Sequence, residues 1–353
     1  LFITCVIKST TTPILRNIVS GVNESARLSV FSNLFYNEFM KNPFKYSLDN
    51  KRYLTWNYYG KSNFQNKIIK IPLDGPFSCP NRDGLIGKGG CVFCFAGSNA
   101  FPKLSDNDLM KQYYQRKEIF LKKWPNGIPY AYFQSFSNTY GSLEKLKEVY
   151  QPFIDNKEIK GIVISTRSDC LNDEKIDYLN SLTSIKPLWI ELGLQSIHDK
   201  TLKEMNRGHS YQNFLDAIEK LKNTNIKISV HLINGWPTES EEMMLQTAKE
   251  VGKLPIHAIK FHMLHISKNT ILGNKYQKKP FELLSKEQYV TIVAKQLSYL
   301  REDIIIERLT GDGLKEYLLA PMWTLKKVSV INDIDKKMVE LDLYQGKHYS
   351  ESR

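Results

Sequence analysis

From Lys67 onward, short apolar runs alternate with longer stretches that carry apolar residues every three or four positions. Each run is short enough for a strand, and each stretch is long enough for a helix. Residues 67–72 (KIIKIP) predict a first strand that feeds a glycine-rich loop. Ser105, with Asp108 three residues on, predicts a capped helix start. Further strands are predicted over 130–136, 161–165, 188–192, 226–233 and 258–262, and residues 304–307 suit a last strand. Between them, helices are predicted over 143–154, after Asn172, over 200–221, after Thr238 with Glu241, and from Ser285 with Gln288 to about Leu300.

Strand and helix alternate about six times, the pattern of a parallel sheet wound with helices. Six units suit an α/β partial (β/α)6 TIM-like barrel better than a closed eightfold one. Functional residues are then expected at the C-terminal ends of the strands, and the loop after the first strand opens onto that face. The expected organisation has three parts. Residues 1–50 form an N-terminal extension, expected to be poorly ordered, whose Ser/Thr-rich, acid-free first part resembles a leader or upstream sequence. Residues 51–310 form the core. Residues 311–353, rich in Lys and aromatics, form a C-terminal α/β extension packed on it.

Charge adds a partner class. The 353 residues include 49 Lys and Arg against 37 Asp and Glu, a net charge of +12. That favours a polyanion such as RNA, although 39 of those cations are Lys, as AT-biased coding alone produces. No uninterrupted apolar stretch approaches a membrane span, so no membrane partner is expected. Five cysteines, three of them clustered, suit metal binding in a reducing, cytoplasmic setting rather than a disulfide framework.

The cluster is Cys79, Cys91 and Cys94, with eleven residues between the first two and two between the last two. Soft thiolates select iron–sulfur clusters or zinc. A structural zinc site wants four ligands, and no local fourth exists, although Cys170 or His209 could reach in from another strand. Three thiolates can hold three irons of a 4Fe–4S cluster and leave the fourth open to a bound molecule.

The cysteine pair closed by an aromatic, Cys91-Val-Phe93-Cys94, resembles the motif of radical S-adenosylmethionine (SAM) enzymes. As an ordered set, several stretches resemble the YhcC/YtqA family, itself similar to the radical SAM part of the Elongator catalytic subunit. They are CPNRDG…GGCVFC from Cys79, YFQSFSNTY from Tyr132, STRSDCL from Ser165 and ELGLQS from Glu191, then NRGH from Asn206, RLTGD from Arg308, APMW from Ala320 and QGKHY from Gln345. Together they span roughly residues 50–349. Two loops depart from the family pattern, at Trp236-Pro-Thr238 and at Asn269.

The resemblance implies a 4Fe–4S cluster on Cys79, Cys91 and Cys94, with SAM on the open iron. Reductive cleavage would give a 5′-deoxyadenosyl radical that takes hydrogen from the substrate, with flavodoxin or ferredoxin as the kind of electron donor. The cofactor-binding set is Gln134 and Ser135 at the end of the second strand (with Asn138), Arg167 beside Asp169, Glu191 and Arg207. Gln195 could face the same pocket. Glu191 lies mid-strand, where a carboxylate needs a partner such as ribose hydroxyls or Arg207. No catalytic residue is assigned. His209 reads as a turn residue, His262 and His265 as substrate-facing or core, and Cys170 as packing.

Too few further cysteines remain for a methylthiotransferase, and no acetyltransferase domain is expected. The family resemblance implies a tRNA wobble-uridine enzyme converting a 5-carboxymethylaminomethyl side chain to 5-aminomethyl. The alternatives are a radical SAM enzyme for a small molecule such as a tetrapyrrole, and a zinc-stabilised RNA-binding protein without catalysis.

Overall fold

The computed structural model describes residues 51–94, 108–311 and 313–350. The expected N-terminal extension with its Cys5, the expected cap Ser105, and Lys103, expected with Lys122 and Lys123 as a contact to RNA phosphates, lie outside the described residues. Seven parallel strands form one curled sheet: β1 (Ile68–Leu73), β2 (Ile128–Phe133), β3 (Gly161–Thr166), β4 (Leu188–Gln195), β5 (Lys227–Asn234), β6 (Ala258–Met263) and, beyond the two-residue strand β7 (Ile266–Ser267), β8 (Ile305–Arg308). Their order is β1-β2-β3-β4-β5-β6-β8, with neighbours in parallel register such as Ile68 opposite Ile128 and Val163 opposite Trp189. This is the expected α/β half-barrel. A short antiparallel pair joins β7 to β9 (Leu318–Ala320).

The helices form where caps and apolar faces coincide. α1 is Trp56–Phe64, with Thr55 as N-cap. α2 (Leu109–Lys123) is capped by Asp108 itself, whose carboxylate accepts from the amides of Met110 and Lys111. Asp108 was expected as the partner of a cap and is the cap. α3 (Leu143–Asp155) and α4 (Asp173–Leu182) start on Ser142 and Asn172.

The helix expected over 200–221 is two helices, α5 (Asp199–Glu204) and α6 (Tyr211–Leu221). Asn206 (φ 52°) and Gly208 (φ 75°) turn left-handed between them, a conformation no helix continues through. α6 buries Phe214, Ala217, Ile218 and Leu221, one face at helical spacing. α7 (Glu241–Gly252) starts on Ser240 rather than Thr238, because the Thr238 hydroxyl donates to Glu204 at 2.6 Å instead. α8 (Ile271–Lys278) follows β7. α9 (Lys286–Ser298) carries the expected Ser285–Gln288 capping box, and α10 (Lys327–Glu340) packs against α9.

Alternation along each strand sorts two layers. In β4, Leu188, Ile190 and Leu192 join the large core between sheet and helices. Trp189 points the other way, into a cluster inside the curl with Ile68, Tyr130, Val163, Ala258 and Ile305, which Leu54, Trp56 and Tyr59 cover from below. The next inward positions along the strands are Lys70, Tyr132, Ser165, Glu191, His231, Lys260 and Glu307. The interior is therefore apolar at the N-terminal ends of the strands and polar toward their C-terminal ends. The base is closed by residues 54–56: the amide of Ile306 donates to Leu54 O at 2.7 Å, and Thr55 bridges to Ile306.

Candidate active site

The loop after β1 is held from both sides. Arg82 and Asp83 amides donate to Cys79 O, and the Gly90 amide donates to Asn81 O. The Asn81 side chain donates to Asn206 O at 2.5 Å, and the Asn206 side chain donates back to Gly90 O at 2.8 Å. The α5–α6 break thus clamps the cysteine loop. Gly90 sits at φ 77°, and a Cβ there would meet Arg82 Cγ at 2.8 Å.

Three donors face the sulfurs. Arg207 reaches Cys91 Sγ at 3.5 Å, Asn81 reaches the same sulfur at 3.8 Å, and Arg82 reaches Cys94 Sγ at 3.8 Å. Cys91 is buried, while Cys79 and Cys94 are half-buried. Burial, and then the neighbouring Cys91, push the Cys94 thiol up; Arg82 opposes them and Cys79 adds to them. The thiols crowd one another, and the donors around them suit thiolate ligands of an anionic group. Among the described residues, no three His, Cys, Asp or Glu side chains converge as ligands of a single metal ion.

All three cysteines line a cavity of about 270 Å³, together with Gln134, Ser135, Arg167, Glu191 and Arg207. The structure therefore gathers the expected site residues at one place, Asn138 excepted. Gln195, also in the wall, has φ 78°, and Phe136 beside it in the cavity has φ 63°. Such strain in non-glycine residues collects at functional sites. The strand bulges at Gly193, where a Cβ would stand 2.7 Å from Gln195 Nε2 and 2.9 Å from an Arg207 nitrogen. Arg207 donates to Gly193 O. Arg167 is committed elsewhere: it grips Asp169 through two bonds of 2.8 and 2.7 Å and holds Arg207 O at 2.8 Å. Ser135 donates to Asp74 at 2.5 Å. Asn138 does not reach the cavity, because its amide donates to the backbone carbonyls of Phe133, Ser135 and Ser165.

Glu191 finds partners that the sequence reading missed. Arg207 is not among them. Lys70 lies at 2.7 Å and Lys260 also donates, with Tyr132 OH at 2.7 Å, Ser165 Oγ at 3.0 Å and His231 Nε2 at 3.1 Å. Burial alone would raise the Glu191 pKa, but Lys260, Lys70 and His231 outweigh it and hold the carboxyl well below its usual range. Glu307 pairs with the same two lysines, Lys260 at 3.4 Å. Burial and Glu191 keep the Tyr132 phenol protonated. The missed signal was available: Lys70, Lys260 and Glu307 are lone charges at inward strand positions, as Glu191 is.

A second cavity of about 680 Å³ adjoins the first and shares Phe93, Cys94, Tyr132, Gln134, Gln195, His231 and His262 with it. Cys170 is packed, and burial raises its thiol to about 11. His209 is likewise buried, and burial with Arg207 and Arg167 lowers it to about 3.

The radical SAM superfamily profile matches residues 87–251, and a radical SAM C-terminal domain profile matches residues 256–340. YtqA of Bacillus subtilis is 41% identical over 309 residues, covering 87% of this chain and 96% of that protein. A tRNA uridine(34) acetyltransferase of Methanocaldococcus infernus is 27% identical over 154 residues, 43% of this chain and 28% of that protein. The solved structure of the M. infernus Elp3 with an N-terminal deletion superposes with a TM-score of 0.60 at 18% identity, covering 79% of this chain and 64% of that one. The half-barrel is shared with it. Enzymes of the radical SAM superfamily use a 4Fe–4S cluster and SAM, and this chain belongs to that superfamily, within the YtqA/YhcC family, as a radical SAM enzyme.

Proposed function

We propose that Cys79, Cys91 and Cys94 hold the 4Fe–4S cluster and that the 270 Å³ cavity takes SAM. The carrying observation is that three thiols, three donors aimed at two of their sulfurs and the cofactor-binding set meet in one cavity at the C-terminal ends of the strands. Gln134, Ser135, Glu191 and Arg207 line it for the polar groups of SAM. Arg167 acts through Arg207, whose backbone it fixes. Bound together, cluster and SAM supply single-electron removal of a hydrogen atom. The protein orients the reacting carbon and excludes water.

The substrate we infer is tRNA bearing a 5-carboxymethylaminomethyl wobble uridine. Supporting this are the +12 charge and the partial similarity to a tRNA uridine(34) acetyltransferase. The carbon between amine and carboxylate is the weak point, because a radical there is stabilised from both sides. Loss of one hydrogen atom and one electron makes a C=N bond. Water adds across it, the C–N bond breaks, and the products are the 5-aminomethyl base and glyoxylate. The hydrogen would leave in 5′-deoxyadenosine, and the cluster would take back the electron. A flipped-out uridine would enter at the barrel mouth, with phosphates near Lys122, Lys123 and the Lys-rich C-terminus. Flavodoxin or ferredoxin would supply the electron that first reduces the cluster, in the cytoplasm.

The test is anaerobic incubation of reconstituted enzyme with tRNA carrying that side chain, read by nucleoside mass spectrometry. Aminomethyl nucleoside and glyoxylate are expected in equal amounts. Unchanged nucleosides alongside active SAM cleavage would sink the tRNA reading. Cys91→Ala is expected to fold but to retain neither iron nor sulfide. Zinc without iron in the wild-type protein purified anaerobically would overturn the cluster assignment.

A further inference from the structure

The buried ion network ends on an unused acceptor. Glu307 has a side chain only 2% exposed. Lys70 and Lys260 both meet its Oε2, while its Oε1 is buried with no hydrogen-bond partner. A buried carboxylate oxygen without a donor is costly, and an N–H of a bound molecule would satisfy it. The strand is shaped to present this group. Pairing between β6 and β8 shifts from Ile259–Ile306 to Lys260–Arg308, which makes Glu307 the extra residue of a bulge. Bulges of this kind re-aim a side chain beside an active site. Glu307 lines the 680 Å³ cavity and is absent from the wall of the 270 Å³ one.

Charge and number narrow the donor that fits. The two carboxylates, Glu191 and Glu307, are matched by the two ammonium groups of Lys70 and Lys260. A cationic donor would add a third positive charge beside those lysines, so a neutral N–H suits the oxygen better. Only one oxygen is open, so it takes one N–H. His262 supplies a second contact. It lines both cavities and stacks on His231, with ring centroids 5.5 Å apart and planes at 21°. Its Nε2 is buried without a partner. Burial, then Arg308 and His231, hold its pKa well below the usual value, so the ring is neutral. A neutral imidazole that carries its proton on Nε2 donates there to a carbonyl.

We propose that the 680 Å³ cavity takes a uracil ring, with Glu307 Oε1 accepting its N3–H and His262 Nε2 donating to its O4. Around a uracil ring the single N–H at N3 is followed by the O4 carbonyl and then by C5. The protein offers its groups in the same order: Glu307 in the larger cavity alone, then His262 on the shared wall, then the smaller cavity. The C5 substituent thus faces the smaller cavity. Cytosine and adenine present a bare ring nitrogen on that edge, which a carboxylate repels. Guanine brings its N1–H and its amino group to a carboxylate with one oxygen left. The inference rests on the reading of the smaller cavity as the SAM site. It deepens the wobble-uridine reading by naming the residues that select the base, whatever its C5 substituent.

The experiment measures binding of uridine, 3-methyluridine and cytidine to anaerobically reconstituted holoenzyme by ligand-observed NMR. Uridine is expected to bind at least about tenfold more tightly than either of the others, the worth of one hydrogen bond to a charged acceptor. In Glu307→Gln the lysines keep the side-chain oxygen and an amide N–H faces the cavity, so cytidine should overtake uridine. His262→Phe, outside the ion network, should weaken uridine and 3-methyluridine alike by about fivefold, a neutral hydrogen bond, and leave cytidine unchanged. Absent uridine binding, equal affinities for uridine and 3-methyluridine in the wild type, or an unchanged ranking in a folded Glu307→Gln overturns the proposal. The wild-type ranking and His262→Phe keep it falsifiable if Glu307→Gln fails to fold. The tRNA assay is read separately. A uridine preference with unconverted tRNA upholds this recognition and refutes the side-chain reaction. Converted tRNA with wild-type KM in both variants refutes this recognition alone.

Discussion

Glu191 shows most clearly how one residue depends on distant ones. Its carboxylate stays charged although fully buried only because two ammonium groups and three further donors surround it. Removing one member of such a buried set leaves the rest uncompensated, which costs about 3–5 kcal/mol. Glu191→Gln in the apoprotein is expected to lose stability on that scale in urea unfolding. Adding Lys260→Met should recover part of the loss, since the pair is removed together; a double variant as weak as the sum of the two singles would show that they are not coupled. The mid-strand position of Glu191 marked it as needing a partner, but the partner was misjudged. Arg207 is near in sequence, whereas Lys70 and Lys260 are 121 and 69 residues away and meet Glu191 only through strand register. The three cysteines were easier to place together because they share one loop, and they line one cavity.

Among the elements, the break between α5 and α6 decides the most. Periodicity carries through 200–221 as though one helix ran there, and only Asn206 and Gly208 interrupt it. Their left-handed turn puts Arg207 on the thiols and Asn206 on the cysteine loop. Gly208→Ala must hold a side chain at φ 75° and bring a Cβ within 2.9 Å of Asn81 Oδ1. A loss of about 1–2 kcal/mol is expected from the backbone alone. Because Asn81 also faces Cys91, slower iron incorporation on reconstitution is expected as well; unchanged loading would separate the break from the cluster loop. At Gly193, an added Cβ displaces Gln195 and Arg207 together. Gly193→Ala should therefore weaken SAM binding at least about tenfold, by equilibrium dialysis, while the melting temperature stays near that of the wild type. The strands were legible to within a few residues because their apolar runs are buried from both sides. The caps at Asp108 and Ser240 were displaced because several polar residues stood within reach of each helix start and tertiary bonds chose among them.

For the whole molecule, the half-barrel separates a dry base from a wet mouth, and acid should attack both. His257, at the base, accepts the Ile228 amide on Nδ1 at 3.1 Å, which only the neutral ring can do. Burial, Lys227 and Arg301 lower it to about 4, against about 6.5 in an unfolded chain. The unfolded state binds the proton more readily, so this stability is complete above about pH 6.5 and is lost as pH falls toward 4. Below the unfolded Glu value, Glu191 and Glu307 add a further loss as pH approaches their depressed folded values. Urea midpoints measured from pH 7 to pH 4 should fall throughout, and His257→Asn should flatten the upper half of that slope; an equal slope in the variant would remove His257 as its cause. Among the described residues, no helix is long and apolar enough to cross a membrane.

Gln345 ties this architecture to the order in which the chain is made. Its side-chain oxygen accepts from the Leu54 amide at 2.8 Å, and its nitrogen donates to Arg301 O and Ile304 O, each at 2.7 Å. One amide, 291 positions beyond residue 54, thus latches residue 54 to the segment that leads into β8. On a ribosome, this latch would be missing until residue 345 had cleared the exit tunnel, long after the cysteines had emerged. The nascent protein would therefore expose its three thiols on a sheet that Gln345 has not yet latched, and durable cluster loading would wait for that latch.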